Sequence, residues 1–166
     1  ATPLVIYALY SWVHSRHGEL PVYGKTVGRK NDAHKIADFI LTNQDGKPAG
    51  SEQWKGKIVV AGFFFTHCPV VCPKMTASMK RVQETYADDS DLYFSSITVD
   101  PERDNIARLK EYTREREINT NNWDLLTGTK KEIYALARNS FLVVATDGDG
   151  GPDDFIHSEK LVLIDT

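Results

Sequence analysis

Residues 63–75 of the chain read FFFTHCPVVCPKM, and this stretch contains both cysteines of the protein. The uncharged residues 58–65 that lead into it are mostly β-branched or aromatic, which is typical of a central strand buried on both faces. From Met75 onward, apolar residues recur on one side at helical spacing, and Pro73 suits a first helical turn because no N–H is needed there. The stretch therefore predicts a buried strand that leads to the cysteines and a helix over residues 74–86 that follows them.

Cys68 and Cys72 are placed by this pattern at the positive end of a helix dipole, which favours thiolate over thiol. Their Cys-x-x-x-Cys spacing is one residue longer than that of thioredoxin-type redox motifs. Two such thiolates could close a disulfide or bind one soft metal ion such as Cu(I) or zinc. Two cysteines are too few for an ordinary cysteine-rich structural zinc site. From spacing alone, a disulfide, a metal site and an inert pair all stay open.

The bulk composition indicates one globular domain and excludes some partners. The chain has 166 residues, of which 26% are charged and 41% hydrophobic, enough for a core that needs no disulfides. A net charge of −3 without a basic stripe gives no support for nucleic-acid binding. Two cysteines do not decide the redox compartment.

The N-terminal residues 1–19 form a separate apolar arm in the sequence. Residues 3–13 read PLVIYALYSWV, with Ser11 as the only polar member of the apolar run. This run is too short to cross a bilayer, which takes roughly 20 apolar residues. Two interpretations stay open: the tail of a membrane anchor, or an amphipathic arm packed on the domain.

Alternating hydrophobic patterns predict the remaining elements. An N-terminal β-hairpin is expected, with its first strand at residues 37–42 and its turn at residues 43–47. Further strands are predicted at residues 58–65, 92–99, 123–126, 141–146 and 160–165, and further helices from Asp104, as N-cap, through Tyr112 and over residues 130–138. This alternation of strands and helices implies an α/β architecture. The acidic, glycine-rich residues 147–154 lack the ligand spacing of an EF-hand, so a mobile hinge is preferred to a calcium site.

Three separated motifs, in this order, carry a resemblance to a known family. They are THCPVVCP at residues 66–73, VDPERD at residues 99–104 and FIHSEKLVLID at residues 155–165. Together with LPVYG at residues 20–24, they strongly resemble the Sco (SenC/PrrC) proteins. The resemblance implies a thioredoxin-like, copper-binding domain over residues 20–166. It also implies a copper chaperone that helps to assemble the binuclear copper centre of cytochrome c oxidase.

The resemblance also implies a set of site residues. Cys68, Cys72 and His157 match the copper ligands of the family, and two thiolates with one imidazole suit Cu(I), or Cu(II) with an added oxygen ligand. Without the resemblance, His157 would be interpreted as a strand-edge histidine bonded to a backbone carbonyl. His67 is expected to be exposed or to influence the thiolate charge. Asp100, at the carboxyl end of a strand, is expected either near the site or simply in a turn.

Partners, location and the C-terminus are further expectations from the resemblance. The partners would be the cytochrome c oxidase subunit that carries the binuclear copper site and other copper chaperones. The domain would be tethered to a membrane through an N-terminal anchor and would face the periplasm or an equivalent extracytoplasmic space. The family continues past residues 161–165 with a strand and a helix, so we expect these two elements to be missing and the last strand to be an open edge.

A second class of function competes with the metallochaperone. The same thiols would serve a thiol–disulfide oxidoreductase that reduces the cysteines of a partner protein, so enzymatic activity stays open. A peroxiredoxin-like peroxidase is not favoured, because its Pro-x-x-x-Thr-x-x-Cys pattern is absent. A copper sensor also stays open. His157 discriminates between the two main functions, because copper binding needs it and disulfide exchange does not.

Overall fold

The computed structural model describes residues 34–143, 146–147, 155–156 and 159–165, and the elements below all belong to the unit Ile36–Thr166. The strands are β1 (Ile40–Asn43), β2 (Pro48–Gly50), β3 (Ile58–Phe64), β4 (Leu92–Thr98), β5 (Trp123–Thr127), β6 (Thr146–Asp147), β7 (Phe155–Ile156) and β8 (Leu161–Asp165). The helices are a 3-10 helix at Ser51–Trp54, then α1 (Val71–Thr85), α2 (Ile106–Glu115) and α3 (Lys130–Asn139).

Within the described residues, β2, β1, β5, β4, β3 and β8 form one sheet in that order, and β6 and β7 form a separate antiparallel pair. The central strands β3, β4 and β5 run parallel, whereas β1 and β8 are antiparallel to their neighbours. Parallel strands joined through helices are the arrangement that the alternating pattern predicts. The predicted α/β architecture is therefore confirmed.

Strand β3 is apolar throughout because both faces of the sheet are covered. Neighbouring residues of a strand point to opposite faces. The ring of Phe63 packs edge-on against Phe141, at 5.1 Å between centroids, and the ring of Phe64 packs against Tyr112 of α2, at 5.5 Å. The short β-branched and aromatic run thus fills two layers of core, one on each side of the sheet.

The predicted N-terminal hairpin is confirmed, with its strands at β1 and β2. The side chain of Asn43 organises the turn by accepting hydrogen bonds from the backbone N–H groups of Asp45 and Lys47, each at 3.0 Å. Gly46 adopts a φ of 74°, which glycine tolerates without strain. The same Asn43 donates to Asp124 of β5, so the hairpin is tied to the sheet through a buried bond.

The strand predicted over residues 141–146 is wrong for the part that the structure describes before Thr146. After α3 the chain folds back on the helix, with the N–H of Val143 donating to Ala137 and that of Phe141 donating to Leu136. Leu142, beyond the end of α3 at Asn139, takes a φ of 53°, a left-handed conformation that a strand does not adopt. The segment after α3 is apolar because Phe141 is buried in the core.

The predicted last strand is confirmed as β8, which pairs antiparallel with β3 from Leu161, opposite Gly62, to Asp165, opposite Ile58. It forms one edge of the sheet, and Leu163 on it is 70% exposed. The apolar arm at residues 1–19, His157 and residues 148–154 of the loop predicted over residues 147–154 lie outside the described residues, whereas Asp147, the first residue of that predicted loop, lies in β6. In the part of the chain that is described, no helix is long and apolar enough to cross a membrane.

Candidate metal centre

The two cysteines lie where strand β3 gives way to helix α1. Helix α1 begins at Val71 rather than at Lys74, so Cys72 is its second residue and Pro73 its third, and only Cys68 lies in the preceding turn. Pro73 is tolerated there because the first N–H groups of a helix have no partner within the helix. Both cysteines are thiols rather than a disulfide, and Cys68 is only 6% exposed and Cys72 is fully buried.

The sulfur of Cys68 takes the place of a helix cap. The N-cap residue of α1, Val70, has no side chain that can accept a hydrogen bond. Instead, the backbone N–H of Cys72 donates to the Sγ of Cys68 at 3.3 Å. A sulfur anion in this position is stabilised by the helix dipole. The hydrogen bond from the N–H of Cys72 to the sulfur of Cys68 therefore both caps the early start of α1 and favours the thiolate form of Cys68.

Hydrogen bonds and burial shift the pKa values of the two thiols in opposite directions. Burial alone would raise the pKa of Cys68, but backbone N–H groups of Cys72, Val70 and Val71, with the Cys72 side chain, outweigh it, and the pKa is lowered. Burial raises the pKa of Cys72 to about 12, and its bond to the Cys68 sulfur adds to the shift. The pair therefore offers one sulfur that readily becomes a thiolate and one thiol that holds its proton.

Asp104 is not the cap of α2, so that prediction is wrong. The N-cap is Asn105, whose side chain accepts from the N–H of Arg108 at 3.0 Å. Asp104 is completely buried, and its carboxylate accepts hydrogen bonds from Thr66 and Thr98. The sequence carried one signal of this role: Asp104 is followed directly by Asn105, a residue that caps a helix equally well.

His67 is exposed beside the thiol pair, and its ring is tied to Thr66. The Nδ1 of His67 lies 3.2 Å from the Oγ1 of Thr66. The hydroxyl of Thr66 has a single proton, which it donates to Asp104 at 2.5 Å. At the contact with His67, the hydroxyl can therefore only accept. The ring carries its proton on Nδ1, and its Nε2 is the nitrogen with a lone pair when the ring is neutral.

Asp100, which the sequence predicts either near the site or in a turn, is buried just after β4 and begins a turn, because its carbonyl accepts from the N–H groups of Arg103 and Asp104. It is 4% exposed, and its Oδ2 has no hydrogen-bond partner among the described residues. The Nε of Arg103 lies 3.8 Å from that oxygen, too far for a hydrogen bond. Burial raises the pKa of Asp100, and the nearby charge of Asp104 adds to the shift.

The structure brings two of the three predicted ligands together. Cys68 and Cys72 share a hydrogen bond, whereas His157 follows Ile156 of β7 and lies outside the described residues. Among the residues that are described, no three His, Cys, Asp or Glu side chains converge on one point. Two neighbouring sulfurs, one of them on a thiol whose pKa is lowered, are a donor set that fits a soft monovalent metal ion.

Comparison with known proteins matches the whole described domain to one family. The family model described as SCO1/SenC matches residues 27–166. The SCO1 protein homolog of Bacillus subtilis is 35% identical over 133 residues, which cover 79% of this chain and 68% of the relative. The mitochondrial SCO1 homolog 1 of Arabidopsis thaliana is 32% identical over 75% of this chain, and the match covers 37% of its length.

Solved structures show the same fold. A SCO1/SenC family lipoprotein from Bacillus anthracis superposes with a TM-score of 0.73 at 37% identity, covering 82% of this chain and 81% of the other. Arabidopsis thaliana ScoI with copper bound gives a TM-score of 0.65 at 30% identity, over 78% and 80% of the two chains.

BsSco, described as a member of the Sco family of cytochrome c oxidase assembly proteins with a disulfide switch, gives a TM-score of 0.64 at 33% identity, over 78% and 83%. The thioredoxin-like fold that the motifs predict is confirmed by these structures. The family match extends over most of the sequence and includes both cysteines. The chain therefore belongs to the SCO1/SenC family.

Proposed function

We propose that this protein is a copper metallochaperone of the Sco type, which binds copper through Cys68, Cys72 and His157 and delivers it to the binuclear copper centre of cytochrome c oxidase. The observation that carries the proposal is the thiol pair at the start of α1, in which the sulfur of Cys68 accepts the N–H of Cys72. Relatives of the same fold hold copper, which supports the assignment of this ion as the cargo.

Uptake of Cu(I) follows from the acidities of the two thiols. Backbone N–H groups lower the pKa of Cys68 and so favour the thiolate that binds Cu(I). Cys72, with a pKa raised to about 12, must lose its proton when it becomes a ligand, so each ion bound releases that proton. This coupling keeps the affinity of the thiol pair below its maximum at neutral pH, which suits a protein that must hand its cargo on.

Location and partners form part of the proposal. The Bacillus anthracis relative is a lipoprotein, which supports membrane attachment of the domain in an extracytoplasmic space. We assign this attachment to the apolar arm at residues 1–19. The partners are then the oxidase subunit that carries the binuclear copper site and the copper chaperones that load the protein. The match covers 68% of the Bacillus subtilis relative, so the location and partners of the whole protein are stated here only as part of the proposal.

Titration of reduced protein with Cu(I), in competition with a chromogenic chelator, tests the proposed function. We expect one ion per chain, complete loss of binding in Cys68→Ser/Cys72→Ser, and about a tenfold or greater loss of affinity in His157→Ala. His67→Ala is the matched control, because it removes the other histidine near the thiols and should keep most of the affinity. Full affinity in His157→Ala would contradict the three-ligand site.

Thiol–disulfide exchange is the second candidate, and the unequal acidities of the two thiols favour it. The Cys68 thiolate would attack a disulfide of a partner and form a mixed disulfide, with one partner sulfur leaving as a thiolate. Cys72 would then lose its proton and attack the Cys68 sulfur, so that the partner leaves as a dithiol and this protein becomes oxidised. BsSco is described with a disulfide switch.

The variant His157→Ala separates the two functions. A reductase needs only Cys68 and Cys72, so His157→Ala should keep the rate at which the protein reduces a disulfide peptide. A chaperone should lose copper affinity in the same variant. Loss of both activities would indicate that His157 supports the fold, which a melting curve of the variant would show.

A further inference from the structure

Asp104 lies in the loop that joins β4 to α2, and its side chain is completely buried. A buried carboxylate is costly unless its oxygens accept hydrogen bonds. Oδ2 accepts from the backbone N–H of Thr66 at 3.0 Å and from the hydroxyl of Thr98 at 2.5 Å, and Oδ1 accepts from the hydroxyl of Thr66 at 2.5 Å. One side chain therefore ties the end of β3 to the end of β4 and to the start of α2.

Two of these three bonds go to Thr66, which lies two residues before Cys68. The Nε of Arg108, on α2, donates to the Oγ1 of Thr66 at 3.1 Å, so the threonine is held from a second side. The next link is the N–H of Cys68, which donates to the carbonyl of Phe65 at 3.3 Å. Hydrogen bonds to a charged group are stronger than neutral ones, so the turn cannot shift without breaking its strongest contacts.

We propose that Asp104 is a positioning residue for the copper-binding thiols: by holding Thr66 at two points, it fixes the turn that carries Cys68 relative to Cys72 and sets how tightly the pair retains copper. The inference rests on the proposed function. Under this proposal, the last aspartate of the VDPERD motif holds the turn before Cys68 in place and does not cap α2. The proposal predicts that substitution of Thr66, on the thiol side of the carboxylate, weakens Cu(I) binding, whereas substitution of Thr98, on the side of β4, does not.

Three variants separate positioning from general stability. Asp104→Asn keeps the shape of the side chain and removes its charge. Thr66→Val removes one hydroxyl from the carboxylate on the thiol side, and Thr98→Val, the matched control, removes an equally short bond from the side of β4. Each hydroxyl also has bonds outside the carboxylate: Thr98 accepts from the N–H of Asp100, and Thr66 contacts Arg108 and His67, so both variants disturb the fold.

We expect both threonine variants to lower the melting temperature to similar extents. Without copper, the amides of Cys68 and Cys72 should exchange with solvent about tenfold faster than in wild type in Asp104→Asn and Thr66→Val, but not in Thr98→Val. In the folded, reduced protein, the Cu(I) affinity should fall about tenfold or more in the first two variants. It should stay within about twofold of wild type in Thr98→Val.

Equal losses of Cu(I) affinity in Thr66→Val and Thr98→Val would reduce the effect to general stability and overturn the proposal. Unchanged affinity in Asp104→Asn would overturn it as well. If Asp104→Asn does not fold, the comparison of the two threonine variants decides. If wild-type protein binds no Cu(I), the proposed function fails by itself, and the exchange rates, measured without copper, still decide whether Asp104 positions the turn.

Discussion

Asp100 and Asp104 both follow β4 and are both buried, but their carboxylate oxygens differ in the hydrogen bonds that they accept. Asp104 accepts three hydrogen bonds, whereas the Oδ2 of Asp100 accepts none from the described residues. A buried acceptor without a donor costs free energy of folding, and the cost is larger when the group is charged. The raised pKa of Asp100 expresses that cost. Both oxygens of Asp104 accept hydrogen bonds, whereas the Oδ2 of Asp100 lies 3.8 Å from the Nε of Arg103, too far for a hydrogen bond.

The variant Asp100→Asn should therefore change the pH dependence of stability. Because the pKa of Asp100 is raised in the folded state, its contribution to stability is fully present below its unfolded pKa, near 4, and is lost as the pH rises through the folded value. Removing the charge should stabilise the protein by about 1 kcal/mol at neutral pH and by much less near pH 4. Urea unfolding of both proteins across this range measures the difference.

Asp104→Asn is the contrasting variant at this scale, because it replaces an acceptor oxygen of a fully bonded carboxylate and should destabilise the protein at neutral pH. An Asp100→Asn variant that is less stable than wild type at neutral pH would show that the ionised carboxylate is held by favourable contacts. The burial of Asp100 would then stabilise the fold instead of opposing it.

The sequence predicts single residues well where their chemistry is local. Cys68 and Cys72 follow from the motif and from the helix that it starts. Asp104 could not be predicted, because its partner Thr66 lies 38 positions earlier and meets it only when β3 and β4 pair. With Asn105 beside it, local propensity alone could not decide which of the two caps α2.

At the scale of elements, helix α1 depends on the sulfur of Cys68. Since Val70 offers no acceptor and the N–H of Cys72 donates to that sulfur, Cys68→Ala should remove a cap and destabilise the protein by about 1 kcal/mol. Cys68→Ser should recover most of this loss, because a hydroxyl oxygen also accepts. Thermal unfolding of the reduced, copper-free proteins checks both values. Equal melting temperatures for the two variants would mean that the sulfur contributes nothing as a cap.

Element boundaries show where hydrophobic pattern falls short. The core strands and helices were predicted to within a few residues, since each pattern is long. The start of α1 was missed because the acceptor that caps it is a side chain from the preceding turn. The apolar residues Phe141–Val143 were predicted as strand because a buried aromatic residue after a helix gives the same pattern as a strand.

At the scale of the whole molecule, the parallel sheet gathers the site. Strands β3 and β4 run in the same direction, so the segments after them, with Thr66 and Cys68 on one and Asp100 and Asp104 on the other, meet at one edge. The alternation of strands and helices predicted this architecture. The proposal of His157 as a third ligand depends on the family resemblance, because no local pattern distinguishes it from a histidine at the edge of a strand.

Because the proposed copper site joins Cys68 and Cys72 to His157, which lies far later in the sequence, we expect copper binding to stabilise the folded domain. A ligand present at 100 times its dissociation constant adds about 2.7 kcal/mol to the free energy of unfolding, less whatever the unfolded thiols bind. Reduced protein should therefore melt at a higher temperature with Cu(I) than without it. Oxidised protein, in which we expect a Cys68–Cys72 disulfide, offers no thiolates and should show no shift.

The variant Cys68→Ser/Cys72→Ser is the control, since it should behave as the oxidised protein does and also stay unchanged by reductant. Melting curves of wild type and variant, each reduced and oxidised and each with and without Cu(I), separate these contributions. A copper-induced shift of equal size in oxidised and reduced wild type would show that the ion stabilises the domain through groups other than the thiols. The thiol pair would then be left to disulfide exchange, the second candidate function.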